Sequence, residues 1–552
     1  MHLPLQAASQ MDLTEVLRGT CSKSQIVPDR RHMNRPPPTR KASPPEISLE
    51  TYLDAAVSMK NATSRQKVVV VGAGPVGCLA ALYAAQRGDH VEVYELREGE
   101  LVLLQLRRAA APWRNLRLIP LLDPRMCHPS QCSTTSGAIG LVLSERGLSS
   151  IRGLQNPALL SLIEAKTVPM YGRMIHGRYP SGEQWQKAQN YDNVNGKFTN
   201  ATDRLHLTNV LLDELERTAN ISVFFNHKFT GANLRTNQAF FQFGQGNLNP
   251  RHVDASFDMI IGADGAYSAT RSQLMKHTPI DYQQKYDDIR WCEIQITEQA
   301  GSNQLSRNHL HIWPGRESMF VAVPAPGGTF TYTLFAPSSH YSAFCDSPSG
   351  VAAYFDTRFP GVSPDLVDPR SLQKQLMANP HLPLVGTKCS PYHSGHNAVL
   401  VGDAAHAVLP FYGQGLNAGM EDVSRLFEHL DNHGVYQCAR SQIATARASA
   451  LEAYSCQRVP DGHAIYDLSR ANYLELRWGV LSSLHQLRKI VEEAICKYLP
   501  QLGWATQYTR VSFTTQSYSE IVRASASQER VLVLASAVLV ATTVISACRL
   551  LV

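Results

Sequence analysis

The stretch Lys67-Val68-Val69-Val70-Val71-Gly72-Ala73-Gly74-Pro75-Val76-Gly77 constrains this chain more than any other. An apolar helical pattern follows it, and then Val91-Glu92-Val93-Tyr94-Glu95. The order predicts a strand, a glycine turn, a helix and a second strand that ends in an acid. A run of valines suits a parallel strand buried on both faces. Gly72 permits the tight turn, Gly74 lets the backbone approach a pyrophosphate, and Gly77 lets helix and strand pack closely. The helix N-terminus turns free N–H groups and the positive end of its dipole toward phosphates. Glu95 stands at the distance where an acid accepts hydrogen bonds from ribose hydroxyls. A glycine pattern alone is weak evidence, but one set between a strand and a helix, with its acid in place, reads as a dinucleotide-binding βαβ unit.

Length and composition bound the rest. The 552 residues allow two or three domains with substantial cores. An apolar content of 44% with 18% charged residues is that of a globular enzyme. The net charge of +6 is scattered, and the loose basic cluster Arg30, Arg31, Arg35, Arg40 and Lys41 reads as a solvated tail, so no nucleic-acid partner is expected. The eleven cysteines show neither CxxC pairs nor metal-ligand spacing, and no secretory signal opens the chain. Reduced thiols in a cytosol-facing protein, with no metal, are therefore expected. Without secretion, the sequon Asn61-Ala62-Thr63 carries no weight.

Several segments can be marked off. Residues 1–64, rich in proline and polar groups, read as disordered or as a targeting leader. Residues 65–98 hold the βαβ unit. Residues 99–135 form an irregular Leu-, Arg- and Pro-rich insert, either a surface excursion or translated intron. Residues 136–272 resume a globular pattern, with Asp258-Met259-Ile260-Ile261-Gly262 as a buried strand. Residues 273–390 alternate apolar and polar side chains in the manner of a mostly antiparallel sheet. A further strand and glycine-rich turn occupy 391–430, and helical patterns fill 431–528. Residues 531–552 contain the uncharged run Val531 to Cys548 between Arg530 and Arg549. Its length meets the lower limit for spanning a bilayer, and its place after the folded body favours a membrane tail anchor over a buried core helix.

Two further motifs accompany the βαβ unit, Asp264-Gly265-Ala266-Tyr267-Ser268-Ala269-Thr270-Arg271 and Gly402-Asp403-Ala404-Ala405-His406-Ala407, the latter continued by Pro410 to Asp422. In this order the three resemble the group A flavoprotein aromatic hydroxylases. The resemblance implies an α/β fold: a Rossmann-like FAD-binding domain, a mostly antiparallel β-sheet substrate domain, C-terminal helices and a C-terminal hydrophobic tail helix. It implies FAD as cofactor and NADPH as co-substrate, with no separate NADPH domain. A helix dipole aimed at the flavin would stabilise negative charge on its reduced form. The stretches Met170-Tyr171-Gly172-Arg173-Met174-Ile175-His176-Gly177, Leu143-Ser144-Glu145-Arg146-Gly147, Leu310-His311-Ile312-Trp313-Pro314 and Asn472-Tyr473-Leu474-Glu475 are similar to those of the members that hydroxylate L-kynurenine. This likeness covers roughly residues 67–513, apart from the insert.

The resemblance implies site residues. Arg173 would pair with the substrate carboxylate through its guanidinium fork, where a charge-assisted bond is strong. Tyr191 would donate its hydroxyl to the same group, and Asn472 and Tyr508 would complete the substrate site. On the cofactor side it implies Gly72, Gly74, Val76, Gly77, Glu95, Arg97, Arg204, Asp264, Gly265, Asp403, Leu416 and Asn417. Two departures stand out: Gly140 occupies a position where the family has an Asn near the flavin, and Ala269 one where Thr is common. No catalytic base is expected, because the amino group already activates the substrate ring. His311 and His406 read as structural. The expected reaction consumes L-kynurenine, NADPH and O2 and yields 3-hydroxy-L-kynurenine, a step of tryptophan catabolism. The alternatives are an anchored flavin monooxygenase of another aromatic, quinone or sterol substrate, and an inactive FAD-fold binding protein. The implied location is the mitochondrial outer membrane, facing the cytosol.

Overall fold

The structure, a computed structural model, describes residues 66–97, 140–244, 250–296, 305–342, 344, 348–477 and 483–551. The expected leader at 1–64 and the irregular insert at 99–135 lie outside the described residues.

Along the chain, β1 (Lys67–Val71), α1 (Pro75–Gln86) and β2 (His90–Tyr94) come first. Then follow β3 (Leu141–Leu143), α2 (Glu145–Arg152), β4 (Val168–Met170), β5 (Gly172–Arg178), β6 (Gln184–Asn190), β7 (Thr199–Thr202) and α3 (Arg204–Arg217). The next elements are β8 (Ile221–Phe224), β9 (His227–Asn233), β10 (Gln238–Phe243), β11 (Arg251–Ser256), β12 (Met259–Gly262) and α4 (Ala269–Leu274). The middle of the chain supplies β13 (Asp281–Ile294), β14 (His309–Gly315), β15 (Ser318–Pro324), β16 (Phe330–Pro337), β17 (Leu382–Ser390), β18 (His393–Ser394) and β19 (Ala398–Leu400). Helices end it: α5 (Asp403–His406), α6 (Gly415–Asn432), α7 (Ile443–Arg477), α8 (Ser483–Tyr498), α9 (Gln507–Phe513) and α10 (Tyr518–Leu551).

The valine run forms β1 at the centre of a six-stranded sheet ordered β18-β19-β12-β1-β2-β8. Apart from the β18–β19 pair its ladders are parallel, with Val69 opposite Glu92 on one side and Ile260 on the other. Val68, Val69 and Val70 are wholly buried, as a strand covered by helices on both faces requires. The alternating middle segments form a seven-stranded sheet ordered β17-β13-β16-β15-β14-β5-β6. Its ladders are antiparallel except for β14 with β5, where Leu310 lies opposite Arg173. Residues 172–190 thus lie in one sheet with residues 281–390. A separate apolar core, including Trp313, Phe320, Tyr332, Phe355 and Phe359, fills the face of this sheet covered by helices Pro348–Arg358 and Pro369–Ala378. Two small sheets, β3-β7-β4 and β11-β10-β9, complete the set.

The long α7 packs along α6 and α10. The tail helix begins at Tyr518, before the apolar run, because Tyr518 and Ile521 are fully buried in the body. Its stretch Tyr518–Thr543 is long and apolar enough to cross a membrane, and the apolar window in it is not buried.

Candidate functional site: a nucleotide groove beside an arginine-floored cavity

The glycine turn joins β1 to α1. Gly72 has φ +101°, and a Cβ there would meet the Ala263 carbonyl at 2.5 Å, so only glycine fits. A Cβ on Gly77 would lie 2.0 Å from the Gly72 carbonyl oxygen, the close strand–helix approach expected from its place in the motif. A Cβ on Gly74 meets nothing within 4 Å: the turn is open there, at the first turn of a helix that no side chain caps. Glu95 closes the turn from the neighbouring strand. Its carboxylate accepts the Ala73 N–H at 2.7 Å and the Arg97 N–H at 3.0 Å, and the exposed Arg97 guanidinium pairs with it at 3.1 Å. Both Arg97 contacts fall on Oε1, and Oε2, which accepts the Ala73 N–H, has a second lone pair.

Asp264 caps α4, its oxygens accepting from the Ser268 hydroxyl, the Thr270 N–H and the Thr270 hydroxyl. Gly265 follows at φ +79°, again open on its Cβ side. Opposite, β19 runs into Gly402 and α5. Val76 fits against Gly402 and Gly419, where added Cβ atoms would lie 3.2 and 2.8 Å from it, and so ties α1 to α6. Asp403, next in chain, is exposed. Partial desolvation pushes its carboxyl up, opposed by the charges of His406 and Arg204, and Asp422 adds a further push upward. Among the described residues its carboxylate has no hydrogen-bond partner. Arg204, exposed at the start of α3, acts on Asp403 through its charge.

The α6 N-terminus is likewise uncapped by any side chain, and Leu416 lies half-buried in its first turn. Asn417 is fully buried, and its side chain is already committed. Its Oδ1 accepts the Ser144 N–H at 2.9 Å, and its Nδ2 donates to the Val142 and Gly413 carbonyls at 2.7 and 2.8 Å. This residue can offer a cofactor only its main chain. Behind α6 lies a buried ionic network that was not legible in the motifs. Arg458 pairs with Glu421, Asp422 and Asp461, Arg146 with Glu421, and His406 Nε2 with Asp422 at 2.6 Å. Burial works against ionised Asp422, but His406 and Arg458 outweigh it and hold its carboxyl below the usual range. Such a network fixes the α5–α6 corner that carries Asp403.

These features fit a dinucleotide cofactor. Two helix N-termini without side-chain caps, an open glycine turn and, among the described residues, one carboxylate without a hydrogen-bond partner are groups that bind anionic and hydroxyl functions.

The four residues expected to hold substrate come together from separate parts of the chain. Arg173 lies on β5, Tyr191 just after β6, Asn472 on α7 and Tyr508 on α9. Arg173 is 7% exposed and donates to Asn472 Oδ1 at 3.3 Å. Its guanidinium lies 5.0 Å from the Tyr508 ring centre and 5.9 Å from that of Tyr191. The two tyrosines stack at 4.5 Å, and Tyr412 stacks on Tyr508 at 5.7 Å. Asn472 is pinned by donating to the Phe411 carbonyl at 2.8 Å. All four, with Tyr412 and Glu475, line a cavity of about 550 Å³ whose far wall is α8. Glu475 sits 3.6 Å from Arg173. Burial opposes the Arg173 charge, but Tyr508, Glu475 and Tyr191 favour it and raise its pKa overall. Burial pushes the Tyr508 and Tyr191 hydroxyls up, so both stay protonated donors. Tyr412 and Glu475 were not singled out from the sequence, although both fall inside motifs that were.

His311 and His176 lie on the other face of the seven-stranded sheet from Arg173. They bond to each other at 2.8 Å, and burial lowers them to about 4 and about 3, so they are neutral packing groups. Gly140 faces Val323, whose carbons would lie 2.8 Å from an added Cβ, so the space that an Asn would need is filled.

Comparison with known proteins agrees with this layout. A family model described as an FAD binding domain matches residues 148–469. The chain is 50% identical over 476 residues to the kynurenine 3-monooxygenase of Aspergillus terreus, covering 85% of this chain and 90% of that one. It is 49% identical over 494 residues to that of Aspergillus fumigatus, covering 87% and 90%. Among solved structures, 2-methyl-3-hydroxypyridine-5-carboxylic acid oxygenase matches with a TM-score of 0.53 at 18% identity, covering 79% of this chain and 98% of that one. PqsL of P. aeruginosa, in complex with 2-aminobenzoylacetate, matches with a TM-score of 0.54 at 16% identity, covering 75% and 97%, which shows a shared fold. The parallel sheet, the glycine turn and these likenesses lead to one conclusion: the chain belongs to the kynurenine 3-monooxygenase family of FAD-binding proteins.

Proposed function

We propose that this chain hydroxylates L-kynurenine to 3-hydroxy-L-kynurenine, consuming NADPH and O2. The observation that carries the reading is the convergence of Arg173, Tyr191, Asn472 and Tyr508 on one cavity, whose lining also includes Tyr412, three residues before α6. Gly72, Gly74, Val76, Gly77, Glu95, Arg97, Arg204, Asp264, Gly265, Asp403, Leu416 and Asn417 are assigned to the FAD groove, with Glu95, Asp264 and Asn417 shaping it through backbone bonds. The chemistry supplied by bound FAD is hydride uptake from NADPH and activation of O2.

The chain's own residues bind and orient. Arg173 is a permanent cation, itself buried, and takes the substrate carboxylate, with Tyr191 and Tyr508 as hydroxyl donors nearby. Asn472 fixes the guanidinium plane. Glu475 lines the same cavity, 3.6 Å from Arg173, and balances part of its charge. The stacked rings of Tyr191, Tyr508 and Tyr412 exclude water and restrict the plane of an aromatic ligand. The α10 tail anchors the protein, and the membrane assigned is the mitochondrial outer membrane, with the body in the cytosol; fractionation of the full chain tests this.

The test of the reaction is NADPH oxidation by the FAD-loaded full chain in detergent, with and without L-kynurenine. Stimulation with equimolar 3-hydroxykynurenine is expected. A folded, yellow protein that does not respond to L-kynurenine overturns the reading.

A further inference from the structure

The helix α8 carries two faces. Lys489, Glu492, Glu493 and Cys496, at helical spacing, turn inward and line the substrate cavity. On the opposite face Leu487, Ile490, Val491 and Tyr498 form a stripe at the same spacing. These four are 57%, 62%, 40% and 71% exposed, and Leu502 continues the stripe at 61%. Large apolar side chains in a contiguous exposed row mark an interaction surface.

Its place in the fold indicates the occupant. Arg488 of α8 pairs with Glu529 of α10 at 3.1 Å. Glu529 precedes Val531, the first residue of the apolar run, by two positions, less than one helical turn. If α10 enters a bilayer where its charges end, α8 lies at headgroup level beside the entry point. Exposed cations lie on both helices, Lys497 on α8 and Arg523 and Arg530 on α10, and exposed Tyr498 suits the membrane–water boundary.

We infer that α8 is a second membrane contact, lying in the interface with its apolar stripe among lipid acyl chains. The inference rests on the reading of α10 as an anchor. It gives the protein a fixed orientation, because one spanning helix alone leaves the body free to swing. It also places one wall of the substrate cavity on the bilayer surface.

The test uses two full-chain variants, Ile490→Trp and Val538→Trp, each in phosphatidylcholine–phosphatidylserine vesicles with brominated acyl chains, and each read against the unmodified chain. Val491→Trp serves as a second reporter on α8. Both added emissions should be quenched. Bromine near the headgroup should act more on Ile490→Trp, and bromine near the chain end more on Val538→Trp. Quenching of Val538→Trp alone overturns the α8 contact and leaves the anchor. Quenching of the α8 reporters alone sustains the contact and removes the anchor. No quenching of either overturns both. If the α8 reporters escape lipid bromine but are also shielded from aqueous iodide, a second copy of the chain covers the stripe and the lipid assignment is wrong.

Discussion

Replacing Arg173 by alanine examines the substrate site most directly. A charge-assisted hydrogen bond of this kind contributes about 1.5–3 kcal/mol, and about 1.4 kcal/mol corresponds to a factor of ten in affinity. The lost bond alone therefore raises KM for L-kynurenine by about ten- to hundredfold. The substitution also removes the cation 3.6 Å from Glu475, whose charge then faces the substrate carboxylate. Its repulsion of the substrate carboxylate adds on the order of 1 kcal/mol at an intermediate effective dielectric. Adding Glu475→Gln to the Arg173→Ala chain should accordingly recover about fivefold in KM. Arg173→Lys keeps the charge but loses the fork, and belongs between the two. The flavin spectrum and FAD content should be unchanged throughout, because Arg173 lies on β5, away from the glycine turn. Steady-state kinetics with varied L-kynurenine at saturating NADPH provides the measurement. A KM within about twofold of the original, with FAD retained, refutes the carboxylate role.

Three further outcomes follow from local geometry. Gly77→Ala brings a Cβ to 2.0 Å from the Gly72 carbonyl oxygen. It should cost about 1–3 kcal/mol in stability and weaken FAD binding, seen by denaturant titration and flavin fluorescence. Gly140→Asn meets the carbons of Val323 at 2.8–3.2 Å; it should lower thermal stability, and Val323→Ala in the same chain should restore it. Asp89 is 2% exposed, and burial pushes its carboxyl up from 3.8 to about 7. The folded chain holds this proton where the unfolded chain has lost it, so Asp89 favours folding at low pH and this advantage fades between about pH 4 and 7. Asp89→Asn should remove that slope, with its largest relative gain in Tm above pH 7; an unchanged pH profile by calorimetry would count against it.

The glycine turn was legible because its determinants are local. Gly72, Gly74 and Gly77 lie within six residues, and the strand before them is four valines after Lys67. The grouping of Arg173, Tyr191, Asn472 and Tyr508, proposed as the substrate site, was suggested only by family resemblance. Arg173 and Asn472 are 299 residues apart, and no periodicity links an arginine on a strand to an asparagine on a distant helix. The buried network of Arg146, Glu421, Asp422, Arg458, Asp461 and His406 was not legible for the same reason, since each residue alone reads as an ordinary charge on a helix. The tail helix was half legible. Hydropathy detects Val531 onward, whereas the helix begins at Tyr518, where burial of Tyr518 and Ile521 sets the boundary.

The side chains in the groove divide by what they are free to do. Glu95, Asp264 and Asn417 belong to motifs that suggest contact with FAD, yet each has polar atoms already engaged with backbone groups: Ala73 and Arg97, Thr270, and Ser144, Val142 and Gly413. Asp403 alone among these acids and amides has no such partner. Buried polar groups must be paired, and a backbone N–H held by a carboxylate keeps its turn in one conformation. The motif acids therefore act first on the chain itself, holding the glycine turn, the Asp-Gly turn and the α6 entrance in the shape that leaves their helix ends uncapped. On the proposed assignment, recognition of the cofactor falls mainly to main-chain N–H groups and helix ends, with Asp403 and Arg204 as side chains that take part. In such a groove a side chain can matter greatly without touching the ligand, because removing it changes the path of the backbone that does.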